Sequence, residues 1–530
     1  MSTGNEAFTV NTNPTSYVAR IARYHPAHRA MIYEDQTFDY GDLVAEIRRW
    51  ADWLASQGVE RGTRVAFLGH NSRSFIFTMF GTWWLGGVFM PLNFRLAGME
   101  IAGLLERGAP RVLVAEPSHQ QLVERLEVPH AMTCLLVDDD PAVPVSEEPA
   151  DLWERTSQVI SGRDASIGEP LEATMDDLAI LMFTSGTTGL PKGVQLTFGN
   201  VFWNSINVDT MVDTRPGDVN LAVAPLFHIG ALNSFTIRAF VRGNTNVLRR
   251  RFDPARTLKD VQDYKCNSAF LVPAQLSAMA QQPEFADADL TTLRAIIAAG
   301  APVPPGLISK YAVKRVLVQQ AWGLTETAPF ATYLPAALTH EKAGSCGIPM
   351  PFCDIKLLDP ATDEEITEPD ISGEMCVRGP NVTIGYWQDD QATANAFKDG
   401  WFRSGDIGYR DADGYYFIVD RLKDMIITGG ENVYPAEVER TLAEYPGALD
   451  VAVVGVAHRT WGEQIVAVMR CADGQTPDIE DVREFCSQHL ARYKLPKSLV
   501  LVPEVPRNGS GKLDKVAIRD IALEQVGTDG

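Results

Sequence analysis

The segment from Thr184 to Lys192 follows an apolar run and consists mostly of small and hydroxylated residues. Glycines let backbone N–H groups approach a phosphate closely, hydroxyls add donors, and a lysine adds positive charge. The residues of this segment that could bind phosphate are Thr184, Ser185, Gly186, Thr187, Thr188, Gly189 and Lys192. A flexible linker is the alternative, but a buried strand leading directly into the loop favours a polyphosphate site.

The spacing of this loop differs from that of a Walker A motif. The pattern G-x-x-x-x-G-K-[ST] does not fit here, nor at Gly511 and Lys512, where Leu513 follows the lysine. A P-loop kinase or GTPase is therefore disfavoured.

A second segment, 320–326, places an aromatic ring, a glycine, a hydroxyl and a carboxylate close together. An aromatic face can stack on adenine, and a carboxylate oxygen can hold Mg²⁺ that is already bound to phosphate. A plain core turn would explain Trp322 and Gly323, but not Thr325 and Glu326. The segment therefore indicates a nucleotide site.

Four isolated residues are further candidates. Asp406 could accept bonds from both ribose hydroxyls and Arg421 could donate to the same sugar, with a surface ion pair as the alternative. Lys512 lies on a glycine-rich loop, where an ammonium is usually only solvated. His228 could be a buried core histidine or could act on a substrate. For the basic run 249–251, a solvated strand end is favoured over contact with phosphates.

The elements around these residues change along the chain. The amino-terminal part alternates helical and extended patterns, which predicts parallel sheets covered by helices. After residue 340, short strands separated by Gly, Pro and Asp predict a small antiparallel barrel or sheet. A small α+β module begins near Asp424, and the acidic segment 138–177 is predicted to be a surface connection.

Composition bounds the class of protein. At about 150 residues per domain, 530 residues predict three to four domain-sized units. A net charge of −21 argues against a nucleic-acid or anionic-membrane binder. The seven cysteines include no C-x-x-C pair, which predicts neither a zinc site nor a disulfide framework. The amino terminus lacks the pattern of a secretory signal, so we expect a cytoplasmic protein.

One uncharged stretch, 74–94, is long enough for a membrane-spanning helix. Gly86, Gly87 and Pro91 interrupt it. We therefore predict no membrane span, but a buried helix that turns into a strand near Val88.

The motif TSGTTGLPKG, which starts at Thr184, resembles the signature loop of the adenylate-forming superfamily, which comprises acyl- and aryl-CoA synthetases, firefly luciferases and peptide-synthetase adenylation domains. The resemblance extends from Tyr33 to Arg519, and the motifs occur in the family's order. It implies an α/β fold with a large amino-terminal domain of two stacked parallel-sheet subdomains and a small β-barrel, followed by a small mobile α+β domain. It also implies two steps, in which ATP converts an acid to an acyl-adenylate and coenzyme A then accepts the acyl group.

The resemblance implies a role for each candidate. Thr325 would contact the α-phosphate, Glu326 would bind Mg²⁺, and Lys512 would bridge the substrate carboxylate and the α-phosphate. Asp406 and Arg421 would hold the ribose. The nucleotide site would also include the residues around the two motifs, namely Gly300, Ala301, Pro302, Ala321, Trp322 and Gly323.

The resemblance further implies a hinge at Lys423, which separates domains 1–422 and 423–530. Gly430 would line the pantetheine tunnel, and His228 would position the substrate. Two residues depart from the family pattern: Trp322 replaces a tyrosine or phenylalanine, and Ala299 replaces a glycine beside the acyl pocket.

The expected ligands are ATP, Mg²⁺, coenzyme A and a small-molecule carboxylic acid. Small residues around the acyl pocket suggest a medium-chain fatty or aromatic acid. An enzyme that loads a carrier protein and a luciferase-like oxygenase are the alternatives. The oligomeric state is left open, with a homodimer among the alternatives.

Overall fold

The computed structural model describes residues 10–126, 132–143, 153–184, 191–301, 303–428, 431–458, 462–490, 492–508 and 511–527. The chain divides into two compact units. The first consists of residues up to 355 together with 377–402, and the second of residues 356–376 and 403–530. The predicted domain boundary at Lys423 stays a prediction.

The first unit contains a sheet that is parallel in its centre, with antiparallel strands at both edges. Its strands are short and apolar, as is typical of parallel sheets covered on both faces. In spatial order they are Ile348–Pro349, Thr332–Tyr333, Val318–Trp322, Ala295–Ala298, Ser268–Leu271, Val219–Ala222, Thr245–Leu248, Arg29–Tyr33 and Gln36–Asp39.

A second sheet of the same unit is parallel except for its last strand. In spatial order its strands are Trp153–Arg155, Thr133–Leu136, Val112–Ala115, Arg64–Leu68, Val88–Leu92, Leu178–Thr184 and Lys192–Thr197. The edge strand Trp153–Arg155 lies in the acidic segment that we expected to be only a connection. The prediction missed it because three residues are too few for a strand pattern.

Helices cover both sheets, and one hydrophobic core contains residues of the two sheets and of the helices Tyr40–Ser56 and Arg73–Trp84. The other α-helices of four or more described residues in the first unit are Pro14–Tyr24, Gly98–Gly108, Gln120–Glu124, Thr156–Val159, Phe198–Met211, Ile237–Val241, Pro254–Tyr264, Pro273–Ala280, Pro305–Val313 and Asp390–Ala396, and a π-helix spans Leu232–Thr236. The predicted parallel sheets with covering helices are confirmed.

The uncharged stretch forms the helix Arg73–Trp84 and the strand Val88–Leu92, both buried in the first unit. This confirms the predicted helix-to-strand arrangement. In the part of the chain that the structure describes, none of the helices combines the length and the hydropathy that crossing a bilayer requires.

The second unit contains a largely antiparallel sheet covered by helices. The helix Ile479–Ser487 begins after Asp478, a residue type that is favoured before a helix. The side chain of Asp478 caps this helix by accepting a bond from Asp481 N. Its sheet consists of Glu431–Val433, Ile426–Thr428, Gly462–Cys471, Ala448–His458 and Ser498–Leu501, and its other helices are Pro435–Leu442 and Lys515–Val526. The predicted α+β module is confirmed.

Short strands between residues 354 and 421 pair antiparallel, as predicted for the region after residue 340. Their bounds are Asp354–Leu358, Glu365–Ile366, Gly373–Arg378, Phe397–Lys398, Trp401–Arg410 and Tyr416–Arg421.

Candidate functional site

The predicted phosphate loop connects two strands of one hairpin. The strand Leu178–Thr184 is buried as far as Met182 and pairs antiparallel with Lys192–Thr197, so that Thr184 lies opposite Lys192. The predicted strand before the loop is confirmed. The loop residues Ser185, Gly186, Thr187, Thr188 and Gly189 lie outside the described residues, and their roles stay predictions.

The second motif forms a tight turn at the end of the strand Val318–Trp322, whose last residue is buried. A Cβ on Gly323 would lie 1.9 Å from the carbonyl oxygen of Pro329 and 2.7 Å from Thr327 Oγ1, so the turn excludes any side chain there. Thr327 Oγ1 donates to that same carbonyl oxygen at 2.5 Å. These contacts constrain the backbone next to Glu326, the residue that precedes Thr327.

Two buried amides from distant segments hold the same turn. Asn233 Nδ2 donates to the carbonyl oxygen of Ala328 at 2.6 Å. Asn381 Nδ2 donates to the carbonyl oxygens of Thr327 at 2.7 Å and Phe330 at 2.8 Å. Because both asparagines are fully buried, losing either would leave buried carbonyls without these bonds.

Tyr386 contacts a functional residue from each motif. Its hydroxyl donates to Glu326 Oε1 at 2.9 Å, and the ammonium of Lys192 lies 4.8 Å from the centre of its ring. Burial, together with the neighbouring carboxylate, raises the pKa of Tyr386, so the hydroxyl keeps the proton that it donates. Sequence reasoning missed this residue, and the only signal was an aromatic pair, Tyr386 and Trp387, after a glycine.

Glu326 is the candidate magnesium ligand, and it is 8% exposed. The described residues contain no group of three or more His, Cys, Asp or Glu side chains that could hold a metal ion. Mg²⁺ is commonly bound by one or two carboxylates together with substrate phosphates. A single buried carboxylate therefore fits a magnesium ion that arrives with a polyphosphate.

The segment around Gly300 lies beside the second motif. The strand Ala295–Ala298 pairs with Val318–Trp322, and the backbone N–H of Val303 donates to Gln320 Oε1 at 3.1 Å. Gly300 has φ 88°, a backbone conformation that favours glycine. Gly300 and Ala301 are both exposed. The two motifs are thus adjacent, whereas Pro302 lies outside the described residues.

His228 is exposed, so the alternative of a buried core histidine is wrong. Its ring packs 4.3 Å from that of Phe227. Asn71 anchors the preceding loop, because its amide donates to the carbonyl oxygen of Ala224 at 3.0 Å and accepts from Leu226 N at 2.8 Å. The role of His228 in positioning a substrate stays a prediction.

In the basic run 249–251, Arg251 is exposed as predicted for a solvated strand end, but Arg249 and Arg250 are not. Arg249 Nη2 lies 2.6 Å from Asp260 Oδ1, and Arg250 makes two bonds of 2.8 Å to Glu116. Both carboxylates are fully buried, so the two arginines belong to internal ion pairs. The prediction failed because both acidic partners come from other segments, which the local pattern does not reveal.

In the second unit, the two predicted ribose-binding residues lie on neighbouring strands. Asp406 pairs with Arg421 in the ladder, and Asp406 is 5% exposed. The structure describes only the backbone of Arg421 and Lys423, and Gly430 lies outside the described residues. The ribose site, the hinge and the tunnel stay predictions.

Lys512, also in the second unit, is exposed and lies in a short turn. Its carbonyl oxygen accepts from Asn508 N at 2.8 Å, and its own N–H donates to Asn508 Oδ1 at 3.2 Å. Gly511 has φ 81°, as such a turn requires. The role of Lys512 in adenylation stays a prediction.

Comparison with known proteins agrees with the motifs. Residues 18–387 match the AMP-binding enzyme family, and residues 437–512 match the AMP-binding enzyme C-terminal domain. A feruloyl-CoA synthase of an Amycolatopsis species is 39% identical over 506 residues, which cover 95% of this chain and 98% of the relative. An indoleacetate–CoA ligase of Aromatoleum aromaticum is 38% identical over 512 residues, which cover 96% of this chain and 98% of the relative.

Among solved structures, the o-succinylbenzoate coenzyme A synthetase of Bacillus subtilis in complex with ATP and a magnesium ion has a TM-score of 0.80 to this chain at 29% identity. The similarity covers 95% of this chain and 98% of that one. The large α/β domain with parallel sheets and the smaller carboxyl-terminal domain are thereby confirmed. Since a family model matches most of its length and relatives align with nearly all of it, the chain belongs to the AMP-binding, adenylate-forming enzyme family.

Proposed function

We propose that the chain is an ATP-dependent acyl-CoA synthetase. It converts a carboxylic acid and ATP to an acyl-adenylate and pyrophosphate, and then transfers the acyl group to coenzyme A with release of AMP. The observation that carries this proposal is that one residue, Tyr386, contacts both Lys192, through its ring, and Glu326, through its hydroxyl. A cation and a carboxylate held by the same tyrosine suit a polyphosphate that brings a magnesium ion.

The first step needs stabilisation of negative charge more than it needs a protein nucleophile. A carboxylate is a poor acyl donor, and attachment of AMP converts one of its oxygens into a good leaving group. Lys512, Thr325 and the N–H groups of the loop after Thr184 stabilise the charge that spreads onto the departing pyrophosphate. Mg²⁺ held by Glu326 supplies further positive charge to the phosphate oxygens when it is bound.

The second step requires that the thiol reach the adenylate. In our proposal the small domain, 423–530, turns about Lys423 and removes Lys512 from the site. Gly430 then borders the path of the pantetheine, because a residue without a side chain leaves room for it.

The acid is proposed to be aromatic or a medium-chain fatty acid. Two relatives are named for aromatic acids, feruloyl and indoleacetate. In the first unit, Ala231, Phe235 and Phe270 come together near the turn after His228. Aromatic and small apolar side chains suit a flat or slender hydrocarbon.

The proposal is tested with a panel of carboxylic acids, assayed for pyrophosphate release with and without coenzyme A, and with products identified by mass spectrometry. We expect release with aromatic or medium-chain acids and an acyl-CoA product when coenzyme A is present. Transfer only to a carrier-protein thiol would favour the carrier-loading alternative, and oxygen consumption would favour an oxygenase. No release with any acid would contradict the proposal.

A further inference from the structure

Tyr386 lies in an irregular segment, 380–387, that is fixed to the phosphate-loop hairpin. The backbone N–H of Gln195 donates to the carbonyl oxygen of Gly385 at 3.1 Å, and Trp387 N donates to that of Gly193 at 2.7 Å. The segment thus adds to the strand that begins at Lys192. The backbone of Tyr386 is therefore held against the hairpin.

The other end of the same segment is fixed to the turn of the second motif. The backbone N–H of Thr383 donates to the carbonyl oxygen of Glu326 at 2.7 Å. Asn200 Nδ2 donates to the carbonyl oxygens of Pro380 at 2.9 Å and Val382 at 2.8 Å. The segment therefore spans from one motif to the other, with the side chain of Tyr386 between them.

The two contacts of Tyr386 position charged groups without neutralising them. A neutral hydroxyl orients the carboxylate of Glu326, whereas an arginine in its place would cancel the negative charge that a metal ion needs. The face of the ring attracts the ammonium of Lys192 and leaves its positive charge intact. Elsewhere in the first unit, Arg250 and Glu116 form an ordinary ion pair, in which each charge offsets the other.

From this arrangement we propose that Tyr386 is a positioning residue for the magnesium–nucleotide complex. Its hydroxyl orients Glu326 toward the metal, and its ring holds Lys192 toward the phosphates. This inference rests on the proposed function, because it takes Glu326 and Lys192 to bind these ligands.

The test compares Tyr386→Phe, which removes only the hydroxyl, with Tyr386→Leu, which also removes the ring. The first measurement is Mn²⁺ binding in the presence of a non-hydrolysable ATP analogue. The electron paramagnetic resonance signal of free Mn²⁺ reports how much of the metal remains unbound. The second is binding of the same analogue in EDTA by calorimetry. We expect Tyr386→Phe to weaken Mn²⁺ binding about tenfold, as for loss of a bond to a charged group, and to leave binding in EDTA unchanged. Tyr386→Leu should weaken binding in EDTA as well.

The matched control is Tyr311→Phe. Tyr311 is buried in the first unit like Tyr386, and its hydroxyl donates to the carbonyl oxygen of Leu276 at 2.9 Å. This variant should lose stability without any change in Mn²⁺ binding. In a Glu326→Gln background, Tyr386→Phe should have no further effect on Mn²⁺ binding.

The outcomes separate this inference from the proposed function. A wild-type protein that binds no Mn²⁺–nucleotide would count against the function itself. The positioning role is wrong if Tyr386→Phe binds Mn²⁺ with the analogue as tightly as the wild type does. It is also wrong if this variant weakens binding of the analogue equally with Mn²⁺ and in EDTA. Tyr386→Phe keeps the ring in the core, so it decides the question even if Tyr386→Leu fails to fold.

Discussion

The turn that carries Glu326 and the turn that carries Lys512 are held in different ways. Side-chain bonds to the first come from Asn233, Asn381 and Tyr386, at sequence separations between 51 and 95 residues. The bonds described around the second join Asn508 to Lys512 and Arg507 to Gly511, each 4 residues apart, and Arg507 also makes an exposed bond of 2.8 Å to Asp450. The first turn is part of a buried network, and the second is an exposed local loop.

This difference matches what each residue is proposed to do. A turn with buried bonds to distant segments can move only if the surrounding structure is disrupted. An exposed loop can move with a smaller cost in free energy. Glu326 is needed in one fixed place, in contact with Tyr386. Lys512 is proposed to act in the first step and to leave for the second, which suits an exposed position.

The largest expected effect is that of Lys512→Ala on the first step. Loss of one cation that stabilises the departing pyrophosphate should slow adenylate formation by about 10²- to 10³-fold. Thioester formation from supplied acyl-adenylate should be unaffected. Pyrophosphate release and acyl-CoA formation, measured separately, check this prediction.

The control for Lys512→Ala is Lys515→Ala, which removes a nearby lysine that contacts Glu439. Lys515 is largely buried, so this variant should lose stability and affect the two steps alike. Lys512 is exposed, and its variant should change the free energy of unfolding by less than about 0.5 kcal/mol. An equal loss of both steps in Lys512→Ala would show that its proposed role is wrong.

Gly323→Ala tests the rigidity of the first turn. The added methyl would lie 1.9 Å from the carbonyl oxygen of Pro329, so the turn must move. We expect a loss of about 3 kcal/mol in the free energy of unfolding, together with loss of magnesium-dependent pyrophosphate release. Gly306→Ala, at an exposed position in the helix Pro305–Val313, should instead stabilise the protein by about 0.5 to 1 kcal/mol. Urea denaturation compares the two, and a well-folded, fully active Gly323→Ala would contradict the proposed rigidity.

The sequence predicted those parts of the site that are local in the chain. The apolar run before Thr184 and the helix and strand on either side of Gly86 follow from patterns within about 20 residues, and the structure contains them. The order of the motifs also identified the family. Such features depend on hydrophobic periodicity and turn residues, which act between near neighbours in sequence.

The features that the sequence did not predict depend on contacts between distant segments. Tyr386 contacts Glu326 across 60 residues, in a segment without the periodicity of a helix or a strand. Arg250 was expected to be solvated because its partner, Glu116, lies 134 residues earlier. Burial of a charged residue cannot be recognised from its neighbours when its partner is remote.

Asn381→Ala should have a smaller effect than Gly323→Ala, because it removes bonds without forcing atoms together. The carbonyl oxygens of Thr327 and Phe330 would each lose a buried donor. We expect a loss of about 2 kcal/mol in the free energy of unfolding, measured in urea, and weaker Mn²⁺–nucleotide binding. Asn381→Asp, which also buries a carboxylate beside these two carbonyl oxygens, should cost more stability than Asn381→Ala. An unchanged stability would show that the turn does not depend on these bonds.

The smallest effect is expected for Asn508→Ala, which removes the side-chain bond to Lys512 N. Because the bond is exposed and local, its loss should change the free energy of unfolding by less than about 1 kcal/mol. Adenylate formation should slow by less than about threefold, because the ammonium of Lys512 remains and only the mobility of the loop that carries it increases. If Asn508→Ala instead abolished adenylation as Lys512→Ala does, the loop would have to be held rigidly for the chemistry. The contrast between a carboxylate in a buried turn and a lysine in an exposed one would then be wrong, and measurement of both half-reactions in this variant decides between the two.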